Sequence, residues 1–269
     1  MFIVKLFRKQ IIYHYHNKGV SENKDWLHRK LYQFQFKNSK AILLSPLLYN
    51  EISEYITKKD TFFCANGIPE IDNIKQSFAT KENKKVKIMF LSNLIESKGV
   101  MILLEACTIL KKKQLNFQCS FIGAEGDIKQ FQLNSKINEL EISNHVSYLG
   151  SKYGSSKFNE LNITDIFVHP TYNDCFPLVL IEAMQHSLPI VSTYEGAIPE
   201  LVSEGVNGYL VPTKNTRALA EKLEILIKNS ELRHKMGING RNKYEKEFTI
   251  NKFENRLLQI LKDNVESVP

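Results

Sequence analysis

From Val86 onward, short apolar runs alternate with stretches whose apolar residues recur every three to four positions, which predicts strands interleaved with amphipathic helices. Val86 to Leu91 reads as a strand. Gly99 to Lys113 reads as a helix, with Ile102, Leu103, Ala106, Ile109 and Leu110 on its apolar face. A strand at Phe117 to Ile122 and a polar helical stretch at Asp127 to Leu140 follow, then a strand at Val146 to Leu149, a helix near Ser155 to Leu161 and a strand at Ile166 to His169. A helix after Phe176 leads to strands at Pro189 to Ser192 and Gly208 to Val211. Leu232 to Leu261 holds two helical patterns without a strand signal. Strand–helix alternation at this spacing predicts an α/β fold with a parallel sheet covered on both faces. Such sheets bind ligands at the carboxyl ends of their strands.

The first third carries a shorter version of the same alternation: a strand at Ile11 to His16, a helix at Lys24 to Phe36, a strand at Ala41 to Leu44, a helix at Pro46 to Tyr55 and a strand at Phe62 to Cys64. Asn66-Gly67-Ile68-Pro69 makes a turn, and the polar stretch Glu70 to Lys85 reads as a linker.

Charge adds an asymmetry. Met1 to Lys85 holds 15 Lys and Arg against 8 Asp and Glu, whereas Val86 to Pro269 holds 21 of each, so the whole net charge of +7 sits in the first third. Such a patch attracts phosphate-bearing ligands, anionic lipid headgroups or nucleic acid, or is simply a solvated surface; the balanced remainder argues against nucleic acid. The four cysteines, Cys64, Cys107, Cys119 and Cys175, form no C-x-x-C pair, and Cys64 and Cys119 lie in apolar runs as buried free thiols do. No apolar run approaches the roughly 18 residues of a membrane span. These features predict a cytoplasmic protein, with peripheral contact at an anionic membrane left open.

The candidate chemistry concentrates between Asp165 and Glu200, DIFVHPTYNDCFPLVLIEAMQHSLPIVSTYEGAIPE. This segment reads as a strand, a polar loop with Asp174, a helix opening at Phe176-Pro177 and carrying Glu182, a second strand and a glycine turn. The eight-residue spacing places one acid ahead of the helix and the other roughly two turns along it, near one face. Helix N-termini favour phosphate, and two acids that grip hydroxyls beside one suit a sugar nucleotide. Phe176, Leu178 and Val179 offer N–H groups there, while Pro177 has none and suits a first helical turn. Lys98 follows a strand at the start of a helix, where a cation and free N–H groups offset diphosphate charge. Each residue also has a plain reading: Lys98 as an exposed lysine, Asp174 as a helix cap, Glu182 as a surface acid, Gly123 as a strand-to-helix turn and His16 as a structural histidine. No H-x-x-x-H, D-x-D, Walker loop or G-x-S-x-G is present, so no metal and no cofactor is expected.

With FPLVLIEAM, LPIVST and the G-x-IPE turn, this block resembles the E-x7-E signature of retaining glycosyltransferases of family 4. The resemblance implies a GT-B-like fold of two Rossmann-like, doubly wound parallel-sheet domains. On that pattern residues 1–80 form a partial N-terminal domain, incomplete because its first strands and glycine-rich loop would be missing. Residues 86–245 form the nucleotide-sugar domain, and 246–269 form a helix crossing back to the first domain. The resemblance assigns Lys98 to the donor diphosphate, Glu182 to the ribose hydroxyls, Asp174 to the donor sugar, Gly123 to close approach of the base and His16 to the donor-sugar face. The backbone from Cys175 through Val179 would contact phosphate or sugar. The sequence departs from the pattern at Asn93, where similar enzymes commonly carry an Arg, at Asp174, where Glu is usual, and at Cys175, where Gly is frequent. The implied activity is metal-independent transfer of a hexose-type unit, with retention, from a UDP- or GDP-sugar to a hydroxyl of a polysaccharide or lipid-linked oligosaccharide. Lys98, Asp174 and His16 are the candidate catalytic residues. A sugar-nucleotide-binding chain or partner subunit without transferase activity is the alternative.

Overall fold

The computed structural model describes residues 4–5, 7, 10–22, 25–71 and 85–265. It divides into two compact units, Met1–Gly67 with Glu247–Pro269, and Ile68–Lys246.

In the first unit, strands β1 (Ile12–Tyr15), β2 (Lys40–Leu43) and β3 (Thr61–Phe63) form a parallel sheet in the order β1-β2-β3. Ala41 faces Tyr13 on one side and Thr61 on the other. The central strand is the apolar one: Ala41, Ile42 and Leu43 are buried, as expected where both edges are paired. Helix α1 (Trp26–Phe36) starts where Asp25 Oδ1 accepts the N–H groups of Leu27 and His28, both at 3.1 Å. The expected helix at Pro46 to Tyr55 is instead a 3-10 turn, Pro46–Glu51. Ser45 caps it and Pro46 opens it, but Asn50, Ile52 and Ser53 are weak helix formers and the ladder stops.

The second unit is built on a six-stranded, wholly parallel sheet. Its strands are β4 (Val86–Leu91), β5 (Phe117–Ile122), β6 (Val146–Tyr148), β7 (Ile166–His169), β8 (Ile190–Thr193) and β9 (Gly208–Val211), in the order β6-β5-β4-β7-β8-β9. The chain starts in the middle at β4, runs outward to β6, then returns to lay β7 against the other side of β4. That reversal is a topological switch point, and it opens a crevice beyond the carboxyl ends of β4 and β7. The connecting helices are α2 (Val100–Lys112), α3 (Gln130–Glu139), α4 (Gly154–Asn162), α5 (Leu178–Gln185) and the single turn α6 (Ile198–Leu201), in the segment expected as a glycine turn. In α2, Val100, Leu103, Leu104, Cys107 and Leu110 are buried at helical spacing.

Helix α7 (Thr216–Lys228) has no counterpart in the sequence expectations. Asn215 Oδ1 accepts the Ala218 N–H at 2.9 Å, and Leu219, Ala220, Leu223 and Leu226 are buried. Helices α8 (Ser230–Glu247) and α9 (Ile250–Val265) account for the two helical patterns near the C-terminus. Within the first unit α9 lies against the sheet and its following loop. Lys40 Nζ donates to Asn264 Oδ1 at 2.5 Å and Arg256 Nη2 to the Ala65 carbonyl at 2.9 Å. Ile68, Pro69 and Glu70 belong to the second unit: Gln185 Nε2 donates to the Pro69 carbonyl at 2.8 Å, and Arg241 pairs with Glu70 at 2.5 Å. Of the stretch expected as a linker, 72–84 lies outside the described residues.

Candidate active site at the sheet switch point

Two loops meet where β4 and β7 end. The loop after β4 carries Asn93 and, in a 3-10 turn Glu96–Lys98, the lysine; Gly99 follows at φ 83° and starts α2. The loop after β7 carries Thr171 to Phe176 into α5. Backbone stitches hold them together: the Tyr172 N–H donates to the Ser97 carbonyl at 2.8 Å, and Thr171 Oγ1 donates to the same oxygen at 3.0 Å.

Across this seam Lys98 Nζ lies 2.7 Å from Asp174 Oδ2 and 3.0 Å from the Asn173 carbonyl. The same carboxylate oxygen is 3.1 Å from His169 Nε2, and Asp174 Oδ1 accepts its neighbour's N–H, that of Cys175, at 2.9 Å. Burial pushes the Asp174 carboxyl up, but the hydrogen bonds and charges of His169 and Lys98 outweigh it and hold the group below its ordinary value. His169 is 1% exposed, and its Nδ1 has no partner among the described residues. Gly196, at φ 52°, presses on this loop from the β8 side. A Cβ there would fall on the Asp174 and Cys175 carbonyl oxygens, so only glycine permits the approach.

Helix α5 opens at Leu178, one residue later than the sequence suggested. Pro177, at φ −70° and ψ 113°, is the residue before the helix rather than its first turn. The first backbone bond at this end runs from the Leu180 N–H to the Pro177 carbonyl (3.1 Å), so the N–H groups of Leu178 and Val179 lie ahead of the ladder. Phe176 and Pro177 are buried and Cys175 is half-buried. Further along, Glu182 Oε1 is 2.6 Å from Lys157 Nζ on α4, while Glu182 Oε2 is buried and has no partner among the described residues.

Asn93 is exposed; its Oδ1 accepts the Ala124 N–H at 3.4 Å and ties the β4 loop to the β5 loop. Gly123 ends β5 where a Cβ would fall on the Ser92 carbonyl oxygen, so the glycine is already required by loop packing. His16 belongs to the first unit. It follows β1 with its ring 4.2 Å from that of His14, and burial holds its imidazole below the ordinary value, hence neutral at pH 7.

The structure thus brings Lys98, Asp174 and the start of α5 together, with Glu182 on the same helix. It adds two residues that sequence reasoning missed. His169 carried a faint signal, a polar residue closing an apolar strand five positions before Asp174. Lys157 carried none, because its partner lies 25 positions away on another helix. A cation, first-turn N–H groups and a carboxylate with a free oxygen can together hold a phosphate and a diol. Among the described residues no group of three or more His, Cys, Asp or Glu side chains could hold a metal ion.

The sequence profile described as glycosyl transferases group 1 matches residues 70–243. The chain is 31% identical over 72% of its length to the amylovoran biosynthesis glycosyltransferase AmsK of Erwinia amylovora. It is 27% identical over 70% to the capsular polysaccharide biosynthesis glycosyltransferase CapM of Staphylococcus aureus. The chain spans about half the length of these curated relatives, 48% of AmsK and 50% of CapM. Among solved structures, Anabaena HepE in complex with UDP superposes with a TM-score of 0.83 at 20% identity, over 97% of this chain and 74% of HepE.

Proposed function

We propose, for a chain that belongs to the group 1 glycosyl transferases and has the GT-B type of fold, that it moves a sugar from a UDP- or GDP-sugar to a hydroxyl acceptor in glycan biosynthesis. The observation that carries this reading is the meeting of Lys98 and Asp174 at the sheet switch point, ahead of the helix on which Glu182 keeps a buried oxygen unpartnered. The names of AmsK and CapM, both tied to polysaccharide biosynthesis, support the glycan part of the reading. The HepE complex supports a uridine nucleotide.

In this reading Glu182 accepts hydrogen bonds from the ribose. Lys98 swings its charge from Asp174 to the diphosphate, and the N–H groups at the start of α5 take up the remainder of that charge. Asp174, released, accepts from a donor-sugar hydroxyl. Transfer proceeds with retention and without a metal: the departing diphosphate takes the acceptor proton, so the protein supplies orientation and charge stabilisation rather than a base. The acceptor is a polysaccharide or lipid-linked oligosaccharide.

One observation favours a second reading, a sugar-nucleotide-binding chain that does not transfer. Asn93 is exposed and uncharged at a position where similar enzymes commonly carry a second cation. Calorimetric titration with UDP and GDP, followed by an assay of nucleoside diphosphate release from sugar nucleotides with acceptor extracts, separates the two. Release that survives EDTA, with an α-linked product from an α-linked donor, is the expected result. Binding without release selects the second reading, and no binding of either nucleotide rejects both.

A further inference from the structure

We propose that Lys157, on α4, is a positioning residue for the nucleoside: it fixes the orientation of Glu182 so that one carboxylate oxygen is reserved for a ribose hydroxyl. The inference rests on the nucleotide reading above.

The pair is mostly buried. Lys157 Nζ and Glu182 Oε1 are 2.6 Å apart, and the two side chains are only 19% and 17% exposed. The ammonium lies 5.2 Å from the Phe158 ring centroid, and Phe158 stacks on His186 with centroids 6.0 Å apart. His186 Nδ1 lies 2.8 Å from the Glu182 carbonyl oxygen, so the ring beside the lysine is bonded to the backbone of the residue that the lysine holds. Lysine, aromatic pair and glutamate therefore form one frame, with ties from both α4 and α5.

The consequence is an asymmetric carboxylate. Oε1 is occupied by the ammonium, whereas Oε2 is buried and unpartnered among the described residues. A buried carboxylate oxygen without a donor is costly, and an ion pair that satisfies only one oxygen leaves that cost standing. A ligand O–H donated to Oε2 would relieve it. The role of Lys157 is thus exerted through Glu182, not by contact with the nucleotide.

The test compares UDP with 2′,3′-dideoxy-UDP, which lacks both ribose hydroxyls, by calorimetry on the full chain. Lys157→Met keeps most of the apolar stem against Phe158 and removes the charge. We expect it to weaken UDP binding about tenfold while changing dideoxy-UDP affinity less than about twofold, and Lys157→Arg to recover most of the loss. In turnover, KM for the sugar nucleotide should rise with kcat held. Equal weakening of both nucleotides, or unchanged UDP affinity with a lowered Tm, would show a merely structural lysine and overturn the inference while leaving the nucleotide reading intact. Failure of the unaltered chain to bind UDP or GDP overturns the reading and the inference with it. If circular dichroism shows Lys157→Met unfolded, Lys157→Gln and Lys157→Arg carry the same comparison.

Discussion

Asp174 gathers most of the electrostatics of the site into one side chain. Lys98 and His169 share a single oxygen of a carboxylate that is 15% exposed, and the opposing pull of burial is overcome. The folded pKa therefore lies below the ordinary 3.8. A depressed acid contributes stability that is fully present above its unfolded value and is lost as pH falls through the folded value. Urea midpoints of the unaltered chain and Asp174→Asn should thus differ by a constant amount from pH 7 to about 5, equivalent to roughly 1–3 kcal/mol, and converge only below pH 3.8. A gap that closes already at pH 6 would point to another group. Lys98→Met should weaken UDP binding about tenfold or more, measured by calorimetry, because the diphosphate loses its cation; unchanged affinity would remove Lys98 from the anion site.

At the scale of elements, the site depends on how loops and helices are braced. Gly196→Ala places a methyl group on the Asp174 carbonyl at a left-handed backbone position. It should cost about 2 kcal/mol, read as a lower Tm, and weaken nucleotide binding, because the loop carrying Asp174 must move. Helix α7 stands on its buried face, and Leu223→Ala should destabilise the fold by about 2–5 kcal/mol in urea unfolding. A cost under about 0.5 kcal/mol would mean that the helix is not part of the core. The strands of the second unit were legible because a parallel sheet covered on both faces shows up as continuous apolar runs, such as Ile88 to Leu91 and Ile166 to Val168. Helix α7 was not anticipated although Leu219, Leu223 and Leu226 keep helical spacing, since polar residues surround that short stripe. At Pro46 the apolar spacing suggested a helix, yet local propensity reduced it to a 3-10 turn.

At the scale of the whole molecule, chemistry and charge are distributed unequally. The second unit holds Lys98, Asp174 and Glu182, and the chain from Val86 onward has balanced charge, while the basic excess belongs to the first third of the chain. Among the described residues no helix is long and apolar enough to cross a membrane. Ligand linkage gives the global test: UDP at about 100 times its Kd should stabilise the chain by about 2.7 kcal/mol. Hydrogen-exchange protection should concentrate in the loops after β4 and β7 and at the start of α5, and Glu182→Ala should abolish most of the thermal shift. Protection confined to the first unit would place the nucleotide elsewhere.

The sequence by itself determined which strands exist, that they run parallel, and that Lys98 and Asp174 stand in loops after strands while Glu182 lies along the helix that follows. Those properties follow from local periodicity and from the residues flanking each apolar run. Only the tertiary structure decided that Lys98 and His169 converge on one oxygen of Asp174, that Gly196 braces the loop from behind, and that Lys157 occupies half of Glu182. Each of these is a meeting of groups from different elements, set by the order in which the strands lie side by side, and that order leaves no periodic trace in the chain.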